Sequence, residues 1–449
     1  MKKNYDLIVV GTGSGGSVAA GKCKREGWDV AVIDSLPFGG TCALRGCDPK
    51  KVLIGSTDVI DWKNRMKGKG VEGKVIINWA ELMKFKKSFT DPVPASRERG
   101  FEKLGIDYFK GRAKFTDENT ITVGSDELTG KYILLANGST PAKLNIEGEE
   151  LITYSNEFLE LEKLPKQIIF IGGGYISFEF AHLAARAGAK VIIIHRGKRP
   201  LTGFDPDLVE AMLQGTKEIG IDVELEMEVV SIKKNDGKLV VQGKNKSAGE
   251  TFNADLVVHG AGRVPNIDDM NLDKANVRFS KSGIEVNEFL QSTTNPAVYA
   301  AGDVAATNGF ALTPVAGMDS HVVASNLLKG NHRKPAYNAV PTVVFTIPTI
   351  VSVGLSEAEA VSKGIKFRKN FMLTPNWYSS KRIAEKHSGH KILIEKNTDK
   401  IIGAHILGHN ADELINIFAL AIKHNITAAE LKSTIYSYPT RSSDIGYMV

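Results

Sequence analysis

An α/β protein built on two Rossmann-like nucleotide-binding domains is the fold this chain predicts, and three observations carry it. A short apolar strand runs into Gly11-Thr12-Gly13-Ser14-Gly15-Gly16 and then into a helical pattern. The same strand, glycine turn and helix return at Gly172-Gly173-Gly174. The chain has 449 residues, enough for about three domains at roughly 150 residues each, so a further domain follows the two.

The first cradle reads in order. Tyr5 to Val10 is a buried strand, and the helix runs from Ser17 to Glu26. Gly11 permits the tight turn, Gly13 lets a pyrophosphate approach the backbone, and Gly16 allows close helix packing. The helix N-terminus offers unpaired N–H groups to the phosphates. A second strand, Val30 to Ile33, ends in Asp34, an acid placed to hydrogen-bond a ribose hydroxyl.

The second cradle follows the strand at Gln167 to Ile171. Gly172, Gly174 and Ser177 hold the three small positions, a helix continues to Gly188, and the next strand is Val191 to Ile194. That strand ends in His195-Arg196, with Lys198 and Arg199 close behind, where an NAD site wants a carboxylate. A cluster of cations suits a 2′-phosphate, so this cradle is predicted to take NADPH.

Composition excludes several classes. The net charge of +6 is mild for the length, and no block of lysines or arginines marks a nucleic-acid partner. The longest apolar runs have strand length, so no membrane span is expected. The apolar stretch after Met1-Lys2-Lys3 is too short for a signal peptide and is broken by glycines, so the expected location is cytoplasmic.

Three cysteines are too few for a disulfide scaffold. Cys23 falls on the first helix and reads as a buried small apolar residue. Cys42 and Cys47 lie five positions apart in Gly39-Gly40-Thr41-Cys42-Ala43-Leu44-Arg45-Gly46-Cys47-Asp48-Pro49-Lys50-Lys51. In a reducing compartment a close pair is catalytic or metal-binding rather than structural, and a lone pair is a poor metal site, so no metal is expected. A disulfide needs Cα atoms about 4.4–6.8 Å apart. Five residues of regular helix rise by about 7.5 Å, so a bond between these two requires a distorted turn, and Gly39, Gly40 and Gly46 supply the freedom.

With two cradles and this cysteine motif, the chain resembles the class I pyridine nucleotide-disulfide oxidoreductases: glutathione reductase, dihydrolipoamide dehydrogenase, mercuric reductase and their relatives. The resemblance runs almost end to end. It includes Ala136 to Pro141, with Asn137 where Thr is usual, and Ala261 to Asn266. It includes Val298 to Val304, Leu312 to Ala316, Val353 to Glu357, and Gly403 to Gly408. It implies an FAD-binding domain over 1–145, an NADPH-binding domain over 146–265, a return segment of the FAD domain over 266–335, and a C-terminal α+β dimerisation domain over 336–449. A homodimer and a small-molecule oxidised substrate are implied with it.

The same resemblance assigns roles. Cys47 would contact FAD in a charge-transfer pair, and Cys42 would be the interchange thiol that meets substrate. Lys50 would pair with Glu179 near the flavin, with Lys51 the alternative lysine. Asp303 would bind the ribityl hydroxyls, and Tyr175 would gate the nicotinamide. Thr41, Gly138, Ala316 and Gly262 fall among the expected cofactor contacts, with Gly11, Gly13, Gly16, Asp34, Lys51, Gly172, Gly174, His195, Arg196 and Arg199. The helix start at Cys47 is expected to favour a thiolate, with Arg45 as a helper. Asp48 stands where an apolar residue is common and is expected to be solvated.

One motif breaks. Family members that exchange dithiols carry His-Pro-Thr-x-x-Glu near the C-terminus, and this chain reads Tyr438-Pro439-Thr440-Arg441-Ser442-Ser443-Asp444. An unperturbed tyrosine, with pKa of about 10, is a poor acid for a leaving thiolate at neutral pH. The expected function is therefore NADPH-dependent, FAD-containing reduction of an oxidised thiol or small oxidant through Cys42 and Cys47. The alternatives are a reductase of a non-disulfide electrophile, such as a metal ion, hypothiocyanite or a quinone, and a redox sensor without turnover.

Overall fold

The computed structural model describes residues 2–246 and 248–449. Its contacts divide the chain into two compact units. One contains residues 1–51, 85–142 and 262–337, and the other contains 52–84, 143–261 and 338–449.

The first unit is organised by a seven-stranded sheet. Lys2–Val10 lies between Val30–Asp34 and Asp126–Leu135, parallel to both, with Leu7 opposite Val30 and Val10 opposite Leu135. Val298–Ala300 adds to the far side of Asp126–Leu135, also parallel. Side chains alternate across a strand, so Leu7 and Val9 face one core while Ile8 and Val10 face another. The helix Ser14–Arg25 covers the Leu7 and Val9 face, with Cys23 fully buried there. That agrees with the reading of Cys23 as a small apolar residue. The helix Thr313–Lys329 contributes Val322, Val323, Ala324 and Leu327 to the same core. Ser139–Pro141 and Arg263–Pro265 pair antiparallel where the chain leaves and re-enters the unit.

The second unit holds a four-stranded parallel sheet in the order Ile221–Glu224, Lys190–Ile194, Gln167–Ile171, Leu256–His259. A three-stranded antiparallel sheet runs from Glu228 to Ala254. It also holds a five-stranded antiparallel sheet, with Ile350–Gly354, Ile401–Leu407 and Gly389–Glu395 at its centre. The helix Ala411–Lys423 packs Leu414, Ile415 and Phe418 onto that sheet and leaves Leu420 exposed, as a 3.6-residue period requires. The parallel sheets with helices and this α+β layer match the expected fold class. No helix among the described residues is long and apolar enough to cross a membrane.

Candidate functional site

The glycines of the first cradle are fixed by backbone contact. A Cβ on Gly11 would sit 2.3 Å from the Ala136 carbonyl oxygen, and one on Gly16 would sit 2.2 Å from that of Gly11. Gly13 starts the helix with no side chain capping it, so the first N–H groups point outward unclaimed by a cap. A Cβ on Gly40 would sit 2.4 Å from the Gly13 Cα, which presses the cysteine-bearing segment against the cradle. Glycine backbone and an uncapped helix start are what a dinucleotide pyrophosphate needs, so the residues fit FAD.

Asp34 is held in place rather than waiting free. Its Oδ2 accepts from the Thr12 amide at 2.9 Å and from the Thr12 hydroxyl at 2.7 Å, and its Oδ1 accepts from the Leu36 amide. The Thr12 hydroxyl in turn accepts from the Gly39 amide. Thr12 thus ties the acid to the start of the cysteine segment. The glycine signature by itself gives Thr12 no role; a hydroxyl in that position is the signal. Asp303 accepts from the Ser139 hydroxyl at 2.8 Å, and Arg263 donates to the same hydroxyl. Gly138 and Gly262 have positive φ and open space beside them, and Ala316 sits in the first turn of Thr313–Lys329, next to Gly302. Asn137 donates to the Asn266 carbonyl and to the Met270 sulfur, while its own buried oxygen has no hydrogen-bond partner.

The cysteine segment bends as its spacing demands. A short helix, Gly40–Arg45, carries Thr41 and Cys42, and a 20-residue helix begins at Cys47. Gly46 breaks the path between them; a Cβ there would meet the Thr41 carbonyl oxygen at 2.9 Å. Both cysteines are free thiols, Cys42 half-buried and Cys47 exposed. They are not equivalent. The Cys42 thiol donates toward Cys47, and that hydrogen bond is the largest influence pulling Cys47 down to about 6, helped by Thr313 and by the charge of Lys50. The same interaction, with burial, pushes the Cys42 thiol far up. The pair therefore holds its negative charge on Cys47.

The Thr313 hydroxyl lies 3.5 Å from the Cys47 sulfur. Motif spacing alone gives Thr313 no role; its place at a helix start is the signal. Arg45, the expected helper, lies in the fields of Asp34 and Arg263, while Lys50 is the cation that bears on Cys47. Asp48 is exposed as expected, yet it also accepts from the Cys42 thiol at 3.7 Å.

The second cradle repeats the backbone device. A Cβ on Gly172 would sit 2.2 Å from the Gly260 carbonyl oxygen, and Gly174 starts a helix with no side-chain cap. Ser177 packs so closely on Gly260 that a Cβ there would meet its oxygen at 2.0 Å. Tyr175, the first residue of the helix, is 45% exposed. Glu179, one turn on, is buried and accepts from the Phe345 amide at 2.9 Å. The four expected cations divide. The His195 ring lies against Gly173 and Gly197, and burial pushes its pKa down, so it is neutral at pH 7. Arg199 donates to the carbonyls of Phe204 and Thr202. Arg196 and Lys198 are exposed.

The C-terminal motif does not rebuild an acid–base pair within the chain. Tyr438 is 82% exposed. Thr440 caps the turn: its hydroxyl accepts from the Ser443 amide, and the Ser443 hydroxyl donates to the Thr440 carbonyl. Asp444, the nearest carboxylate to the missing glutamate, turns inward to accept from the Ser379 hydroxyl, and burial raises its pKa. Three histidines are engaged elsewhere, His405 with Ser352, His387 with Glu218, and His409 edge-on to Trp62, while His424 is exposed. Among the described residues no cluster of His, Cys, Asp and Glu could hold a metal ion.

Comparison with known proteins completes the picture. Residues 5–320 match the family described as pyridine nucleotide-disulphide oxidoreductase, and residues 340–449 match its dimerisation domain. A glutathione reductase of Burkholderia cepacia is 33% identical over 449 residues, covering 99% of this chain and 98% of that protein. A mercuric reductase of Staphylococcus aureus is 30% identical over 450 residues, covering 98% of this chain and 81% of that protein. Among solved structures, the Cu(II) complex of the HOCl-induced flavoprotein disulfide reductase RclA from Escherichia coli has the same fold. Its TM-score is 0.88 at 22% identity, covering 99% of this chain and 98% of that one.

Proposed function

Because this chain belongs to the pyridine nucleotide-disulphide oxidoreductases, FAD-containing oxidoreductases that act on sulfur groups, we propose that it is an NADPH-dependent reductase of a small oxidised molecule. Electrons leave through the Cys42 and Cys47 pair, and the working form is a homodimer, for which the dimerisation domain speaks. The observation that carries this reading is the inequality of the two thiols. Cys47 is held as a thiolate by Cys42, Thr313 and Lys50, while Cys42 keeps its proton.

FAD bound in the first cradle would supply the two-electron chemistry that links a reduced nicotinamide to the thiol pair. The protein's own part is to orient and to hold charge. Gly11, Gly13 and Gly16 receive the pyrophosphate, Asp34 and Asp303 the hydroxyls, and Arg196 with Lys198 the 2′-phosphate of the reduced nucleotide. Lys50 supplies the cation beside Cys47, and Glu179 is the buried acid of the second cradle's helix.

The relatives named glutathione reductases make glutathione disulfide the first substrate to try. Exposed Tyr438 and inward-turned Asp444 favour a second reading of the substrate: an electrophile with no thiolate to protonate on leaving. Steady-state NADPH oxidation against a panel of disulfides, quinones and inorganic oxidants separates the two. In Cys42→Ser, reduction of the natural substrate should vanish while NADPH oxidation by artificial acceptors survives. Undiminished turnover in that variant would remove the relay. Slow reduction of glutathione disulfide, improved by Tyr438→His, is the expected pattern; rapid reduction by the unaltered protein near pH 7 contradicts the reading of the C-terminus.

A further inference from the structure

The carboxylate beside Cys42 is left without a task by the relay just described. In the reduced pair there is one thiol proton and two acceptors for it, the Cys47 sulfur and the Asp48 carboxylate, 3.7 Å from the Cys42 sulfur. Among the described residues, two helix starts bring groups to bear on the pair. Cys47, Asp48 and Lys50 come from the start of the helix Cys47–Met66, and Thr313 comes from the start of Thr313–Lys329. Lys50 pulls Cys47 down and the charge of Asp48 raises both thiols, but the Asp48 carboxylate accepts its hydrogen bond from Cys42, which holds the proton on that sulfur.

We propose that Asp48 is a positioning residue that fixes the proton of the reduced pair on Cys42, and so selects against substrates whose reduction requires a Cys42 thiolate, organic disulfides first among them. The inference rests on the relay through Cys42 and Cys47. In that relay the disulfide takes two electrons from a reduced pyridine nucleotide and one proton. The S–S bond breaks, leaving a Cys42 thiol and a Cys47 thiolate. Attack on an organic disulfide needs the Cys42 proton gone before its sulfur bonds to the substrate, since the thiolate is the nucleophile. A carboxylate next to that thiol opposes the step, where an imidazole would assist it. The loss of the family histidine and the presence of Asp48 therefore act in one direction.

The test uses the full-length flavoprotein reduced chemically, without substrate or turnover, so it does not depend on which oxidant is natural. Iodoacetamide alkylation is followed against pH by mass spectrometry of the peptides that trypsin separates at Arg45. Replacing the charge with an amide, Asp48→Asn, should move the Cys42 profile down by about one pH unit, the size of one nearby, partly solvated charge. Asp48→Glu, which keeps the charge, should restore the original profile. Asp48→Asn should also raise the rate on a small aromatic disulfide at pH 7 by roughly tenfold, in proportion to the thiolate gained. An unmoved profile in Asp48→Asn overturns the proposal, as does an equal shift in Asp48→Glu. Failure of the relay itself shows separately, as substrate turnover retained in Cys42→Ser.

Discussion

The two cradles are the same device ending in different chemistry. At each, a Cβ on the first glycine would lie 2.2–2.3 Å from a carbonyl oxygen of a neighbouring strand end, Ala136 in one and Gly260 in the other. At each, a glycine begins a helix that no side chain caps. The difference stands at the end of the second strand. In the first cradle Asp34 is locked by Thr12, whereas in the second a neutral His195 lies flat on Gly173 and an exposed Arg196 follows. The backbone device is therefore common to the two cradles, and the strand end is where they part.

The strongest way to break the comparison is to spoil the shared part. Gly172 has φ of +113° and Gly11 of +105°, and both approach backbone that cannot yield. Gly172→Ala and Gly11→Ala should each cost about 3 kcal/mol or more, from strain added to overlap. Gly174→Ala is the control, because its Cβ would sit 3.5 Å from the Gly260 oxygen, an ordinary contact. Urea denaturation ranks the three. A Gly172→Ala protein as stable as Gly174→Ala would mean that close approach is not why glycine stands there.

A smaller effect is expected from the part that differs. Arg196→Glu should raise the KM for NADPH roughly tenfold, equivalent to about 1.4 kcal/mol, and leave the KM for NADH nearly unchanged. Arg199→Gln should act otherwise. Its guanidinium holds the carbonyls of Phe204 and Thr202, so the loss should appear in thermal stability and only weakly in KM. Equal changes in both nucleotides on Arg196→Glu would place the phosphate elsewhere.

The contrast between Arg196 and Arg199 also marks how far the sequence could be read. Periodicity and spacing were enough for the strands, the glycine turns and the bend at Gly46, because those follow from short-range sterics. The cation cluster was legible only as composition. Which of its members stays free depends on carbonyls at Phe204 and Thr202 and on the space over Gly173, and these are set by tertiary packing. Thr12 and Thr313 escaped for the same reason. Each acts on a partner distant in sequence, Asp34 and Gly39 for one and Cys47 for the other. Asp48 was legible as an oddity, and only the fold turned it toward Cys42.

The smallest expected effect concerns His195, and it sharpens the comparison by pH. Burial depresses its pKa in the folded protein, with Arg196 adding to the effect, while the unfolded value stays near 6.5. Below about pH 6.5 the unfolded chain therefore binds more protons at this site than the folded one. The stability linked to the site is present above that pH and lost as pH falls through the window beneath it. His195→Asn should narrow the gap between urea midpoints measured at pH 7.5 and pH 5.5. It should also leave the NADPH KM at pH 7.5 within about twofold, since a neutral ring offers no charge to a phosphate. A large rise in that KM would make His195 a phosphate ligand after all, and the second cradle would then rely on two strand-end residues where the first relies on one.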